Sequence, residues 1–330
     1  MIISRTPFRI SLFGGGTDYP GWYKEHGGAV ISASINKYCF ITMRELPPFF
    51  PYKYRIRYYK REEVISRDQI EHPSVREVLK FLKIENGVEV VHHADLPARS
   101  GLGSSSTFTV SMLHAGYALK SKYASKYNLA IEAINIEQNI IGEAVGSQDQ
   151  TAAAFGGFNR INFGGQREVE VSPLSLNKNK IDSLQDHLLL FFTGFSRTAS
   201  EVASEQIATL SSKQLELHKM MDICDEAENL IVSEENNIKE IGFLLNEQWM
   251  IKRDLTKKIS NPEIDAIYSR MMKAGAIGGK LLGAGGGGFM LCYADPEKHT
   301  AIKESLKDLL HVPFRFDFVG SQIIYNGQHI

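Results

Sequence analysis

An apolar segment, Ile2 to Phe13, reads as one long strand and runs directly into Gly14-Gly15-Gly16-Thr17-Asp18-Tyr19. The glycines leave backbone amides bare beside a single carboxylate, the combination a polyhydroxylated ligand needs. A second loop, Pro97-Ala98-Arg99-Ser100-Gly101-Leu102-Gly103-Ser104-Ser105-Ser106, stands before a helical pattern. Here the glycines let the chain bend close to a polyanion, and the serines open a helix whose N-terminal amides face it, which suits triphosphate oxygens. By itself this loop equally fits an N-capping Ser after a flexible turn. A chain carrying both loops must hold them on a scaffold of strands and helices.

The 330 residues exceed the usual size of a single core and favour two domains sharing a cleft, with 43% hydrophobic residues to fill them. Lys and Arg number 37 against 38 Asp and Glu, a formal charge of -1. That balance offers no wide basic field for nucleic acid or a membrane surface, so phosphate binding must be local. Cys39, Cys224 and Cys292 are odd in number and lack Cys-x-x-Cys spacing, which fits buried thiols in a reducing, cytoplasmic setting. The N-terminus has no long apolar signal region, and the glycine-rich stretch Ala276 to Ala294 carries Lys280, so no membrane insertion is expected.

Strands are expected over Ala29 to Met43, Tyr54 to Tyr59 and Val88 to His93, helices over Thr107 to Leu119 and Leu129 to Ile141, and a glycine-bounded strand within Phe155 to Phe163. The polar stretch Ser172 to Ser183 marks a boundary. Beyond it come a strand at Leu188 to Thr193, long amphipathic helices at Glu201 to Ser233 and Ile238 to Thr256, and a helix at Glu263 to Ala274. A strand-loop-strand around Gly283 to Gly288, a helix near Glu297 to Leu310 and a final strand complete an α+β pattern.

Glu137, on the second of those helices, and Asp149, in the turn Gly146 to Gln150, are the carboxylates best placed for chemistry. Phosphoryl transfer needs an oxygen ligand for a hard Mg²⁺ ion and a group that deprotonates or orients the acceptor hydroxyl. Two separated carboxylates can divide those tasks, whereas adjacent ones would repel and raise one pKa. Both could also be solvated surface acids.

Three ordered segments, Thr6 to Tyr19, Pro97 to Ser106 and Lys280-Leu281-Leu282-Gly283-Ala284-Gly285-Gly286-Gly287-Gly288, resemble the motifs of the GHMP kinase superfamily, which includes galactokinase and the homoserine, mevalonate and phosphomevalonate kinases. The resemblance covers nearly the whole chain. It implies an α+β, two-domain GHMP kinase fold: an N-terminal domain over 1–180 like ribosomal protein S5 domain 2, and a ferredoxin-like C-terminal domain over 181–330. Carried over by residue, it places ATP on Arg99, Ser100, Gly101, Leu102, Gly103, Ser104, Ser105 and Ser106, and Mg²⁺ on Ser105 and Glu137. Asp149 becomes the catalytic base, with Arg9 as its cationic neighbour compensating developing charge. Gly15, Gly16, Thr17 and Asp18 would bind the acceptor, with Asp18 on sugar hydroxyls and Gly285 and Gly286 approaching across the cleft.

Galactokinase resembles Gly-Glu-His-x-Asp-Tyr at the first motif, where this chain has Gly14-Gly15-Gly16-Thr17-Asp18-Tyr19. Losing two sugar-reading side chains enlarges the pocket and argues for a larger or phosphorylated sugar. The form Phe-Gly-Gly-Gly-Thr-Asp-Tyr-Pro is similar to that of D-glycero-D-manno-heptose 7-phosphate kinases and their fucokinase-like relatives. The implied reaction is ATP-dependent phosphorylation of the anomeric hydroxyl of the heptose 7-phosphate, giving the 1,7-bisphosphate toward a nucleotide-activated heptose. A fucose or other hexose 1-kinase and a non-catalytic sensor are the alternatives. The implied partners are ATP and a small sugar phosphate, with the protein a monomer or homodimer. In Gly194-Phe195-Ser196-Arg197-Thr198-Ala199, Arg197 is the candidate for the substrate's 7-phosphate, because a guanidinium can grip phosphate bidentately; a solvated Arg at a helix cap is the plain alternative.

Other signals compete. Gly283 to Gly288 satisfies Gly-x-Gly-x-x-Gly, the mark of a nicotinamide or flavin oxidoreductase, but Phe289 to Ala294 reads as a strand where that fingerprint requires a helix. Gly278-Gly279-Lys280 lacks the first glycine and the hydroxyl of a P-loop. The basic, aromatic run Lys53 to Arg61 fits a protected sheet edge better than a nucleic-acid strand, and His92 and His93 read as structural.

Overall fold

The computed structural model describes residues 1–98, 100–194, 199–233 and 238–327. Its strands are β1 (Ile2–Phe13), β2 (Gly28–Glu45), β3 (Tyr54–Arg57), β4 (Arg61–Val64), β5 (Val88–Ala94), β6 (Phe158–Phe163), β7 (Val169–Pro173), β8 (Leu188–Phe192), β9 (Gly278–Leu281), β10 (Phe289–Tyr293), β11 (Leu310–His311), β12 (Phe316–Asp317) and β13 (Gln322–Asn326). Its helices are α1 (Pro20–His26), α2 (Pro73–Phe81), α3 (Ser104–Leu119), α4 (Lys126–Asn135), α5 (Gln148–Phe155), α6 (Lys178–Asp186), α7 (Ala199–Thr209), α8 (Gln214–Val232), α9 (Ile238–Arg253), α10 (Pro262–Lys273) and α11 (His299–Ser305).

The spine of the first sheet is β2, whose 18 residues are too long for one partner. One edge pairs antiparallel with β1, from Ile2 opposite Met43 to Phe13 opposite Ile31. Along the other edge β6 covers Gly28 to Ala33, β12 covers Ser34 and Ile35, and β5 covers Cys39 to Glu45. The second sheet is antiparallel, in the order β11-β8-β10-β9. This is the expected two-domain α+β architecture. Helix α3 packs on β1 and β2 and is itself buried among α2, α4 and α5, so residues round nearly its whole circumference are buried, Thr107 and Ser111 among them. Fully buried side chains such as Val110, Met112 and Leu113 each stabilise the packing by roughly 1.5–3 kcal/mol.

Several expectations shift. The stretch Glu201 to Ser233 is not one helix, because Leu210–Ser212 forms a 3₁₀ turn between α7 and α8. There the Thr209 hydroxyl donates to the Gln206 carbonyl and the Ser212 hydroxyl to that of Thr209, side-chain bonds that compete with a continuing helix. The helix near Glu297 to Leu310 shortens to α11, and Leu310 pairs with Phe192 as β11. The sheets do not divide at residue 180, which lies inside α6: β12 and β13, at the far end of the chain, pair with β2 and β1 of the first sheet. The C-terminal strand is tied there by hydrogen bonds of Ser321 to Thr6 (2.8 Å) and His114 (2.9 Å).

As expected, β10 is a strand following the glycine run. The run Lys53 to Arg61 is not itself the sheet edge: β4, which begins at Arg61, is the edge strand, and the run's own strand β3 pairs with both β5 and β4. Its Arg55 pairs with Glu63 and Glu89 and stacks on Phe50 and Tyr52, so its charge is locally answered. His92 packs against Phe108 as a core ring. Among the described residues no helix is long and apolar enough to cross a membrane.

Candidate active site

Gly103 precedes α3 with φ +77°, a left-handed conformation suited to glycine, and a side chain here would meet Asp149 Oδ2 at 3.3 Å. The helix begins at Ser104, three residues earlier than its apolar pattern indicates, so Ser104, Ser105 and Ser106 form its first turn with their amides at the positive end. Leu102 contributes backbone only: its side chain is core and its carbonyl accepts the Arg9 amide at 3.3 Å. The Ser100 hydroxyl is buried and unpartnered. Arg99 lies outside the described residues.

Arg9, on β1 and only 2% exposed, reaches Asp149 with two bonds, Nε to Oδ1 and Nη2 to Oδ2, each 2.8 Å. Its Nη1 donates to the Gly101 carbonyl at 2.8 Å. Asp149 sits in the first turn of α5 rather than in a free turn, and its side chain is 26% exposed. Nη2 also stands 2.7 Å from Oδ1, so Oδ1 is the more engaged oxygen and Oδ2 keeps capacity for an acceptor hydroxyl. One guanidinium therefore fixes the carboxylate and the Gly101 loop together.

Glu137 is fully buried on a wide π turn, Ile136–Ile141, that continues α4; such turns are frequent at functional sites. Its donors are neutral: Ser106 Oγ (2.7 Å), Thr109 Oγ1 (2.7 Å) and Gln150 Nε2 (2.5 Å). Burial dominates and pushes its pKa up to about 7, against those hydrogen bonds. The hydroxyl on Glu137 is that of Ser106; Ser105, expected to share a metal with it, is exposed one position round the helix. Thr109 and Gln150 escaped sequence reasoning. The only clue in sequence was the three-residue spacing of Ser106 and Thr109, one turn apart on a helix that carries other Ser and Thr residues as well.

In the first loop, Asp18 is buried, with Oδ1 accepting the Gly16 amide at 2.9 Å and Oδ2 the Gln148 amide at 3.3 Å. Burial raises its pKa most, the Gly16 hydrogen bond opposes this, and the charge of Asp149 raises it further. Thr17 was expected to face substrate, but its fully buried hydroxyl stands 2.9 and 3.0 Å from the Gly14 and Ala29 carbonyls, which share its one proton, and accepts the Ala29 amide at 3.2 Å, so it braces the loop. Gly15 stands beside Ser11 Oγ and the Gln148 amide group, and both Ser11 Oγ and Gln148 Oε1 are buried without partners. Neither Ser11 nor Gln148 was singled out by sequence. Gly16 faces Met220, Leu217 and Leu255 of the second half.

The C-terminal glycine run meets the loop before α3 backbone to backbone. A side chain on Gly101 would come within 2.3 Å of the Leu282 carbonyl, and one on Gly283 within 2.5 Å of Gly101 Cα. Gly285 and Gly286, expected across the cleft at substrate, instead pack on Ile259, whose carbonyl accepts the Gly286 amide at 2.9 Å. Arg197 lies outside the described residues.

Two family models match the chain, the GHMP kinases N terminal domain over residues 73–157 and the GHMP kinases C terminal model over 227–311. The chain is 30% identical over 318 residues to the D-glycero-alpha-D-manno-heptose 7-phosphate kinase of Campylobacter jejuni, covering 93% of each. It is 24% identical to the bifunctional fucokinase/GDP-fucose pyrophosphorylase of Arabidopsis thaliana, over 92% of this chain and 31% of that one. The crystal structure of a D-glycero-D-manno-heptose 1-phosphate kinase from Bacteroides thetaiotaomicron superposes with a TM-score of 0.80 at 26% identity, covering 99% of this chain and 100% of the other. The chain belongs to the GHMP kinases, and within them it is an ATP-dependent sugar kinase.

Proposed function

We propose that the protein transfers the γ-phosphoryl group of ATP to the anomeric hydroxyl of D-glycero-D-manno-heptose 7-phosphate, giving the 1,7-bisphosphate. The observation that carries the kinase reading is the Arg9 fork, which holds Asp149 beside the loop that opens α3. The heptose is supported by the Campylobacter jejuni relative and by the bare glycines of the first loop.

In this scheme the amides and hydroxyls of Ser100 to Ser106 receive the ATP phosphates. Asp149 takes the proton of the acceptor hydroxyl as its oxygen bonds to phosphorus and the bond to the leaving ADP breaks. Arg9 aligns that carboxylate, and Asp18 holds its loop against α5 so that sugar hydroxyls meet Gly15, Ser11 and Gln148. The residues also fit Mg²⁺: Glu137 is a buried carboxylate with only neutral donors, beside the Ser106 hydroxyl and the unpartnered Gln150 Oε1, a hard-oxygen set. Glu137 and Ser106 would hold the ion, which supplies charge neutralisation on the phosphates. Residues 1–180 carry the phosphate loop and base in this reading, and 181–330 the glycine run that backs them. The three buried free thiols suit a cytoplasmic setting, as monomer or homodimer.

The test is ATP-dependent ADP release across heptose 7-phosphate, free heptose, fucose and galactose, with ³¹P NMR of the product. Transfer to the anomeric oxygen of heptose 7-phosphate is expected. Activity on free fucose alone moves the acceptor assignment, and silence with every sugar overturns the transfer reading.

A further inference from the structure

Two buried lysines of the second half go unused in that scheme. Lys252, near the end of α9, is 5% exposed, and its Nζ makes one hydrogen bond, to the Gly283 carbonyl at 2.7 Å. Lys280, on β9, is 1% exposed and donates to the Leu12 carbonyl at 3.0 Å, just before the Gly14 loop. An ammonium carries three N–H donors, so Lys252 keeps donors unused in a place where desolvating a charge costs several kcal/mol.

The location of Lys252 gives this a meaning. Gly283, which accepts its bond, packs on Gly101; the Gly101 carbonyl accepts Arg9, and Arg9 grips Asp149. The charges that act on Lys252 are Asp18, Arg9 and Asp149, all from the first sheet's side of the site, while Lys280 lies close enough to be repelled by it and by Arg9. Cys224 of α8 also faces Lys280. Phosphoryl transfer spreads negative charge over the moving group, and a preorganised cation there contributes strongly. Arg9 is largely committed to Asp149 and Gly101. Lys252 is not.

Building on the kinase reading above, we propose that Lys252 is a catalytic cation supplied by the second half, its spare N–H donors holding oxygens of the phosphoryl group as it passes from ATP to the acceptor. It exchanges no proton: the acceptor's proton goes to Asp149, and the electron pair of the broken bond leaves with ADP. Lys280 ties the end of β1 to β9 through the Leu12 carbonyl.

The test compares the natural enzyme with Lys252→Met and Lys252→Arg, measuring kcat, KM for ATP and ADP affinity between pH 6 and 9.5. For Lys252→Met kcat should fall roughly 100- to 1,000-fold, with ADP affinity within about threefold. Lys252→Arg should recover at least tenfold over Lys252→Met and move the alkaline limb of kcat upward, since burial holds the natural lysine down at about 8 while arginine stays charged. If Lys252→Met does not fold, the alkaline limb of the natural enzyme against Lys252→Arg decides: coincident limbs overturn the assignment. So does a Lys252→Met enzyme within threefold of natural kcat. A natural enzyme silent on every sugar defeats the functional reading and this role together, whereas an active natural enzyme with an unimpaired Met variant defeats this role alone.

Discussion

Arg9 and Asp149, 140 positions apart in sequence, meet through two 2.8 Å hydrogen bonds that join β1 to the first turn of α5. A bidentate pair with one partner buried couples the two side chains energetically as well as geometrically. Arg9→Met should cost about 3 kcal/mol, near the lower end for breaking a buried pair because Asp149 is partly exposed. Asp149→Asn in the same chain should recover at least about 1 kcal/mol of that loss, since no charge is then stranded. Urea unfolding of the four proteins checks this; strictly additive losses contradict it.

Burial makes the Glu137 charge costly to hold in the ligand-free protein, and the proposed Mg²⁺ site would put that charge to use. Glu137→Gln, which keeps the shape and removes the charge, should leave the melting temperature of the ligand-free protein unchanged or higher. The same variant should lose the additional thermal shift that Mg²⁺ brings in the presence of ADP. Equal Mg²⁺-dependent shifts in both proteins contradict a metal role for this side chain.

The close approach of Gly101 to Leu282 predicts a cost beyond backbone strain. Gly142 has nearly the same φ, +79° against +82°, but nothing within 4 Å of its missing side chain. Gly142→Ala should therefore cost about 1–2 kcal/mol for its left-handed conformation. Gly101→Ala should cost more and weaken ADP binding, because the phosphate loop must part from the glycine run. Equal losses in urea unfolding would remove that contact from the account.

Burial pushes the His72, His92 and His114 rings down to about 4, with His72 and His93 also repelling His92. Each ring stays neutral in the folded chain while the unfolded chain takes up protons below its ordinary 6.5, so stability present above pH 6.5 is lost as pH falls toward 4. Glu137 runs the other way, its burial penalty easing as pH falls through about 7. The histidine contribution is thus read as a difference. Relative to the natural protein, His92→Phe should gain roughly 2 kcal/mol between pH 7 and pH 5. Parallel stability curves for the two proteins contradict this.

Sequence made the site's ingredients legible because each rests on local pattern. The apolar run Ile2 to Phe13 became β1 without change, and the glycine-serine loop led into α3 as its turn chemistry required. Which serine faces Glu137 was not legible: a one-residue difference in where α3 starts turns the helix by about 100°, and it is tertiary packing that presents Ser106. Thr17 looked like a ligand group because sequence cannot reveal that the Gly14 and Ala29 carbonyls already claim its hydroxyl. The return of β12 and β13 to the first sheet is a pairing across nearly the whole chain, and strand pattern alone names no partner.

The proposed transfer requires Asp149 to take the proton of the acceptor hydroxyl. In steady-state phosphorylation with ATP and the best sugar of the panel, Asp149→Asn should lower kcat by about 100- to 10,000-fold while ADP binds within about threefold of the natural affinity. An Asp149→Asn enzyme turning over at the natural rate would contradict it.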